Sequence, residues 1–91
     1  MKFVFSPQAE HDLEEIGDYI ARDNPSRAVQ FIDDIHEHCL RIFEMPEAYP
    51  LRSDILPQVR MAVHGRYLIL FTHTEQQVRI ERVIHGSRSA V

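Results

Sequence analysis

The chain has 91 residues, of which 44% are hydrophobic, and a formal net charge of −4 at neutral pH. This length supports one small domain over residues 1–91 and is too short to build a second core. No apolar run approaches the roughly 18 residues of a membrane span, and residues 1–5 are too short and too mixed for a signal peptide. Composition therefore predicts a soluble, cytoplasmic protein that does not contact a membrane.

The charge is unevenly distributed along the chain. Residues 1–50 carry −7, whereas residues 51–91 carry +3. The net value argues against nucleic acid as a partner, but the arginines of the second half suggest a surface for anions or acidic partners. The single cysteine, Cys39, excludes an internal disulfide. It falls on the apolar spacing of a predicted helix, which favours a small core residue in a reducing compartment.

The first half of the chain predicts a short strand at Lys2 to Phe5 and two helices. Ser6-Pro7 combines a capping hydroxyl with a proline suited to the first helical turn, and apolar residues then recur at helical spacing. Asn24-Pro25 repeats this start signal, and the second apolar stripe ends at Met45-Pro46. The short link between the two stripes predicts an antiparallel helical hairpin.

The second half of the chain predicts a loop and three strands. Prolines 46, 50 and 57 interrupt any helical period between residues 46 and 57. Three β-branched or aromatic runs follow, at Val59 to Val63, Tyr67 to Thr72 and Val78 to Ile84. These runs predict an antiparallel meander. The expected fold is therefore α+β with the order β-α-α-β-β-β, an antiparallel twisted sheet with the N-terminal helical hairpin packed on one face.

Acidic residues of the first helix and histidines of the second are candidates for catalysis or metal binding. Glu10 and Glu14 lie opposite the apolar stripe, which favours a solvated face over a paired acid and base. His36, His38 and Cys39 are close in sequence, but neighbouring helical positions point about 100° apart and cannot converge on one ion. The sequence therefore predicts neither a metal site nor a cofactor.

Cationic side chains of the second half are the main candidates for function. Guanidinium groups bind phosphate or carboxylate through paired hydrogen bonds, and strands hold them rigidly. The competing interpretation is that Arg79 pairs with Glu81, and Arg82 with an acid from a helix, as ordinary ion pairs. A regular last strand would point Arg82 and His85 to opposite faces unless a bulge intervenes. The candidate contact residues are Arg60, Arg66, Arg82, His85 and Arg88.

Three segments follow one another in an order typical of one protein family. They are FSPQAEHDLEEIGDYIARDNPSRAVQFIDDI, LPQVRMAVHGRYLILFT and VRIERVIHGSR. In this order they resemble the opening helical hairpin, the central sheet and the closing strand of the ParE branch of the RelE/ParE toxins. These toxins belong to bacterial type II toxin–antitoxin modules of the plasmid stabilisation family. The resemblance covers residues 3–88, nearly the whole chain, and implies the same strand-helix-helix-three-strand fold.

The resemblance also implies a function. It implies a cognate antitoxin whose C-terminal segment wraps the toxin, with a homodimer or a heterotetramer with the antitoxin as candidate assemblies. It implies DNA gyrase as the target, blocked by contact rather than by catalysis. In that hypothesis the contact surface consists of Arg60, Arg66, Arg82, His85 and Arg88.

Two alternatives remain beside gyrase inhibition. The sister RelE-like members cleave mRNA on the ribosome, which requires cations on the phosphate and a base and an acid for the 2′-hydroxyl. There Arg60 and Arg82 would clamp the phosphate while His85 carried the proton. However, the only lysine is Lys2 and no tyrosine follows Tyr67, and the overall charge is acidic. These departures favour the gyrase inhibitor. The second alternative is a non-toxic interaction module.

Overall fold

The computed structural model describes residues 2–88, and the side chains of residues 3–87. Two short 3-10 turns, Pro46–Ala48 and Gly86–Arg88, supplement the regular elements. Those elements are β1 (Lys2–Phe5), α1 (Pro7–Ala21), α2 (Pro25–Glu44), β2 (Arg60–His64), β3 (Tyr67–His73) and β4 (Gln77–His85). The predicted order is confirmed, and each end of the last three strands lies within one residue of its predicted position.

Both helices begin at the caps that the sequence predicts. Ser6 Oγ accepts a hydrogen bond from Ala9 N at 3.0 Å, and Asn24 Oδ1 accepts one from Arg27 N at 3.1 Å. A proline is the first residue of each helix. These caps satisfy backbone N–H groups that the first turn leaves without a helical partner. Within residues 2–88, neither helix combines the length and the apolar character needed to cross a membrane.

The four strands form a mixed sheet in the order β1-β4-β3-β2. Strands β2, β3 and β4 are antiparallel neighbours, as predicted. Strand β1, however, runs parallel to β4, so the expectation of a sheet that is antiparallel throughout is corrected. A tight turn forces two strands to run antiparallel, and no such turn joins β1 to a neighbour. The chain leaves β1 through the helical hairpin instead, so no turn constrains the direction of β1 relative to β4.

The hairpin of α1 and α2 packs on one face of the sheet, and the core lies between these two layers. Phe31, Ile35 and Ile42 of α2 meet Ile69 and Phe71 of β3 there. Cys39 of α2 is also completely buried in this cluster, which confirms its predicted place in the core. Burial raises the pKa of the Cys39 thiol to about 12, so the reactive thiolate is scarce at neutral pH.

Strand β4 contains a β-bulge beside β3. Leu70 pairs with Arg82 while the next residue of β3 pairs with Ile80, so Glu81 is the extra residue. The buried positions of β4 have even numbers before the bulge and an odd number after it, at Val83. The bulge therefore shifts the inward and outward alternation of β4 by one residue.

Ser6 links the start of α1 to this bulge. Its side chain is almost completely buried, and its hydroxyl donates to Glu81 O at 2.7 Å while it caps α1. We expect Ser6→Ala to lower the free energy of unfolding by about 1–3 kcal/mol, because a buried amide and a carbonyl lose their partner. Urea denaturation measures this loss. Asn24→Ala removes an exposed cap with no second bond and should lose about 1 kcal/mol or less. Equal losses in the two variants would contradict the double role of Ser6.

Candidate functional site

A groove of about 1010 Å³ runs between α1 and the second half of β4. Its α1 wall carries the acids Glu15 and Asp18 together with Arg22 at the end of the helix, and its opposite wall is basic. We call it the α1–β4 groove. Its floor and walls include Asp12, Tyr19, Arg66, Tyr67, Arg82 and His85. Opposite charges and aromatic rings on facing walls are typical of a surface that binds another macromolecule.

The groove exists because β1 is shorter than β4. In the described part of the chain, β1 pairs with β4 only over Gln77–Ile80. Helix α1 takes the place of a strand beyond that point, and Asp12 Oδ2 accepts a hydrogen bond from Val83 N at 2.9 Å. In an extended strand, alternate residues direct their backbone groups to the same side. The backbone of His85 therefore faces the groove as that of Val83 does.

Asp12 also binds Arg82. Arg82 Nε donates to Asp12 Oδ2 at 2.8 Å, and Arg82 Nη2 donates to Oδ1 at 2.9 Å. These hydrogen bonds raise the pKa of Arg82, which stays charged at physiological pH. The predicted pairing of Arg82 with an acid from a helix is thereby confirmed, as is the pairing of Arg79 with Glu81, whose Nε and Oε1 lie 3.3 Å apart. Only Nη1 of Arg82 lies outside the paired contact with the carboxylate.

Asp12 is a site residue that the sequence pattern does not single out. The acids of the first helix were expected on a solvated face, and Glu10 and Glu14 are indeed exposed. Asp12, in contrast, is only 8% exposed. The available signal is its spacing, three residues after Ala9 and four before Ile16, which places a carboxylate on the apolar stripe of α1. A buried carboxylate at such a position requires a partner.

The structure brings together three of the five predicted contact residues. Arg66, Arg82 and His85 line the α1–β4 groove. The bulge at Glu81 precedes both Arg82 and His85 and so does not turn one toward the other, yet both line this groove, which runs along the edge of β4 that faces α1. Arg60 lies elsewhere: it begins β2 at the end remote from Arg66, and its Nη1 donates to Tyr49 O at 2.6 Å. The side chain of Arg88 lies outside the part of the chain that the structure describes.

His85 is held by the residue two positions later. Ser87 N donates to His85 Nδ1 at 3.2 Å, and Ser87 Oγ lies 2.7 Å from the same nitrogen. Because Nδ1 accepts from a backbone N–H, the proton of the neutral ring is on Nε2. The ring of Tyr67 packs edge-on against His85 at 5.2 Å between centroids. His85 thus fixes the turn after β4 and offers Nε2–H as a donor.

The turn between β2 and β3 is tied to the end of β4. Gly65 has a φ of +59°, the left-handed conformation that glycine adopts without strain. Gly86 N donates to Arg66 O at 2.8 Å. A side chain at position 86 would bring its Cβ within 3.2 Å of that oxygen. The hydrogen bond, which this close approach permits, keeps the backbone of Arg66 at one end of the groove.

The histidines and the cysteine of α2 point to different neighbours. His36 packs against Phe5 with ring centroids 5.6 Å apart, His38 contacts His64, and Cys39 lies in the core. Among the described residues, no group of three or more His, Cys, Asp or Glu side chains is arranged to hold a metal ion.

Comparisons with known proteins relate this chain and its fold to one family. A family model described as the ParE toxin of the type II toxin–antitoxin system parDE matches residues 3–90. A solved structure of the chromosomal ParDE TA system from P. aeruginosa has the same fold, with a TM-score of 0.78 and 22% sequence identity. The match covers 93% of this chain and 95% of that one. The curated proteins compared contain no match. Because the family model spans nearly the whole sequence, the chain belongs to the ParE toxin family of type II toxin–antitoxin systems.

Proposed function

We propose that this chain is a cytoplasmic toxin that binds DNA gyrase, blocks its DNA-cleavage cycle and is neutralised by direct binding of a cognate antitoxin. Membership of the ParE family supports the toxin role. The similar solved structure comes from a toxin–antitoxin system, which supports an antitoxin partner. Residues 1–91 act in this proposal as a single domain that works by contact and needs no cofactor.

The observation that supports the contact mechanism is that the candidate cationic side chains are already engaged in hydrogen bonds within the protein. Arg82 is bound to Asp12 through two of its nitrogens, and His85 accepts from Ser87 N. Arg60 donates to a backbone carbonyl outside this groove. A nuclease would need these three groups to converge on one phosphate with a base free to take a proton. Fixed side chains along a groove favour recognition of a protein surface instead.

We propose that the antitoxin neutralises the toxin by covering this same groove. Beyond Val83, whose N–H is bound to Asp12, the backbone of His85 at the edge of β4 can bind a partner segment, and the groove beside it has room for a peptide. The exposed Arg66 at one end would attract an acidic segment. An antitoxin bound there would hide the residues that contact gyrase, so the two partners would compete.

Tyr19 provides a direct test of the antitoxin site. It is 68% exposed and lies on the α1 wall of the groove. We expect Tyr19→Glu to weaken antitoxin binding at least about 30-fold, the size of an interface hot spot of about 2 kcal/mol, because a charge replaces a large ring. Calorimetry with the cognate antitoxin measures the affinity. Val29→Glu is the matched control, since Val29 is 64% exposed on α2 and outside the groove lining. Binding that survives Tyr19→Glu but fails with Val29→Glu would place the antitoxin on α2 instead.

A further inference from the structure

His38 of α2 and His64 of β2 form a contact that the proposed function does not use. Their Nδ1 atoms lie 2.9 Å apart, and their ring centroids lie 5.1 Å apart. His38 is only 9% exposed. At this distance one Nδ1 must carry a hydrogen and the other must supply a lone pair. The two facing nitrogens therefore share a single proton.

A second proton would break this contact. When both rings are cations, each Nδ1 carries a hydrogen and neither can accept. Burial lowers the pKa of His38, and its electrostatic interactions with Arg41 and His64 lower it further. Tyr49 is the other titratable side chain in ring contact with His38, at 6.4 Å. Burial, Arg41 and His64 thus all oppose the protonation of His38.

A row of ring contacts joins this pair to the α1–β4 groove. His64 packs edge-on against Phe31 at 5.9 Å, and Phe31 packs against Tyr67 at 5.1 Å. Tyr67 in turn contacts His85 in the groove wall. His64 also pairs with Tyr67 across the turn that carries Arg66. A displacement of His64 would therefore reach both the turn and the groove.

We propose that His38 and His64 form a proton-operated latch, which holds the turn between β2 and β3 against α2 and releases it when both imidazoles are protonated. The latch itself rests on the geometry of the pair, while its consequence for gyrase or antitoxin binding rests on the proposed function. The unfolded chain takes up a proton at His38 more readily than the fold does. The stability from the latch is therefore complete above the ordinary histidine pKa of about 6.5. It is lost progressively as pH falls below that value and through the lowered pKa of folded His38.

NMR titration of the isolated full chain between about pH 8 and about pH 5 tests the latch without reference to toxicity. The amide signals of residues 64–67 should shift with the same midpoint as the His38 ring, below about 6.5. Urea denaturation of the same samples should show that lowering the pH raises the unfolding equilibrium constant of the wild type. The rise should be about fivefold greater than in a variant without the pair, which corresponds to the loss of one hydrogen bond.

Two variants and a control complete this experiment. His38→Gln and His64→Gln each remove one ring, and either should abolish the shared midpoint at residues 64–67. His11→Gln removes an exposed histidine that lies 3.5 Å from Glu15, and it should keep the wild-type response. The latch would be overturned if the amide signals of residues 64–67 do not shift as His38 titrates. It would also be overturned if these signals keep the wild-type midpoint in both glutamine variants. A toxin that fails to inhibit gyrase would leave all these results unchanged, so the two proposals fail separately.

Discussion

Asp12→Ala is expected to lower the free energy of unfolding by about 3 kcal/mol, although it changes one residue on a helix rich in acids. The carboxylate accepts three hydrogen bonds, two from Arg82 and one from Val83 N. Its removal leaves the buried amide of Val83 without an acceptor. Arg82 can still turn to water because its side chain is 44% exposed, which keeps the loss below that of a fully buried ion pair.

Urea denaturation near pH 7 measures this effect, and two further variants locate its cause. Glu14→Ala removes an exposed acid from the same helix and should change stability by no more than about 0.5 kcal/mol. Asp12→Ala combined with Arg82→Ala should lose less than the sum of the single variants, by about 1 kcal/mol, because the two side chains interact directly. A loss for Asp12→Ala no greater than that for Glu14→Ala would show that the carboxylate does not hold β4 to α1.

Arg66→Glu is expected to abolish growth arrest when the toxin is expressed without antitoxin. Arg66 is exposed in the turn at the end of the α1–β4 groove. Within residues 2–88, its guanidinium is in no ion pair, whereas that of Arg82 is bound to Asp12. Arg66, like Arg22 at the end of α1, therefore has a cation that can bind an acidic group of gyrase. Reversing this charge replaces an attraction to an acidic group by a repulsion, which should lower the affinity at least about 100-fold.

Colony counts after induced expression measure this loss of toxicity. Arg41→Glu makes the same change in net charge at an exposed position of α2 outside the groove lining, and should remain toxic. Far-ultraviolet circular dichroism should show both variants folded, because both side chains are exposed. Full toxicity of Arg66→Glu would remove Arg66 from the target contact, and loss of toxicity in both variants would point to net charge as the cause.

Local sequence rules predict the helices and the antiparallel strands of this fold. Ser6-Pro7 and Asn24-Pro25 are capping signals that act within one helical turn, and both operate as expected. The strand runs after Val59 are also defined by their own side chains. The direction of β1 is different, because its partner β4 is more than seventy residues away in sequence. No local pattern fixes how two such distant strands pair.

The distinction between local signals and contacts of distant segments applies to the groove as well. Its arginines stand out by residue type, but their surroundings depend on contacts between distant segments. Asp12 and Arg82 are 70 residues apart, and the bulge at Glu81, which shifts the alternation of β4, has no local sequence signal. Arg60 is equally cationic, yet its acceptor is the backbone carbonyl of Tyr49, which any residue could supply. Sequence thus predicts which side chains are candidates, whereas tertiary structure decides which of them meet.

The central claim, that this toxin acts on gyrase through the α1–β4 groove, is tested most directly by a gyrase assay with purified protein. Wild-type toxin should inhibit supercoiling and change the level of cleaved DNA complexes, and added antitoxin should reverse both effects. Arg66→Glu should be inactive in the same assay, while Arg41→Glu should match the wild type. Unchanged supercoiling and unchanged cleavage complexes, at toxin concentrations that stop growth in cells, would contradict the claim.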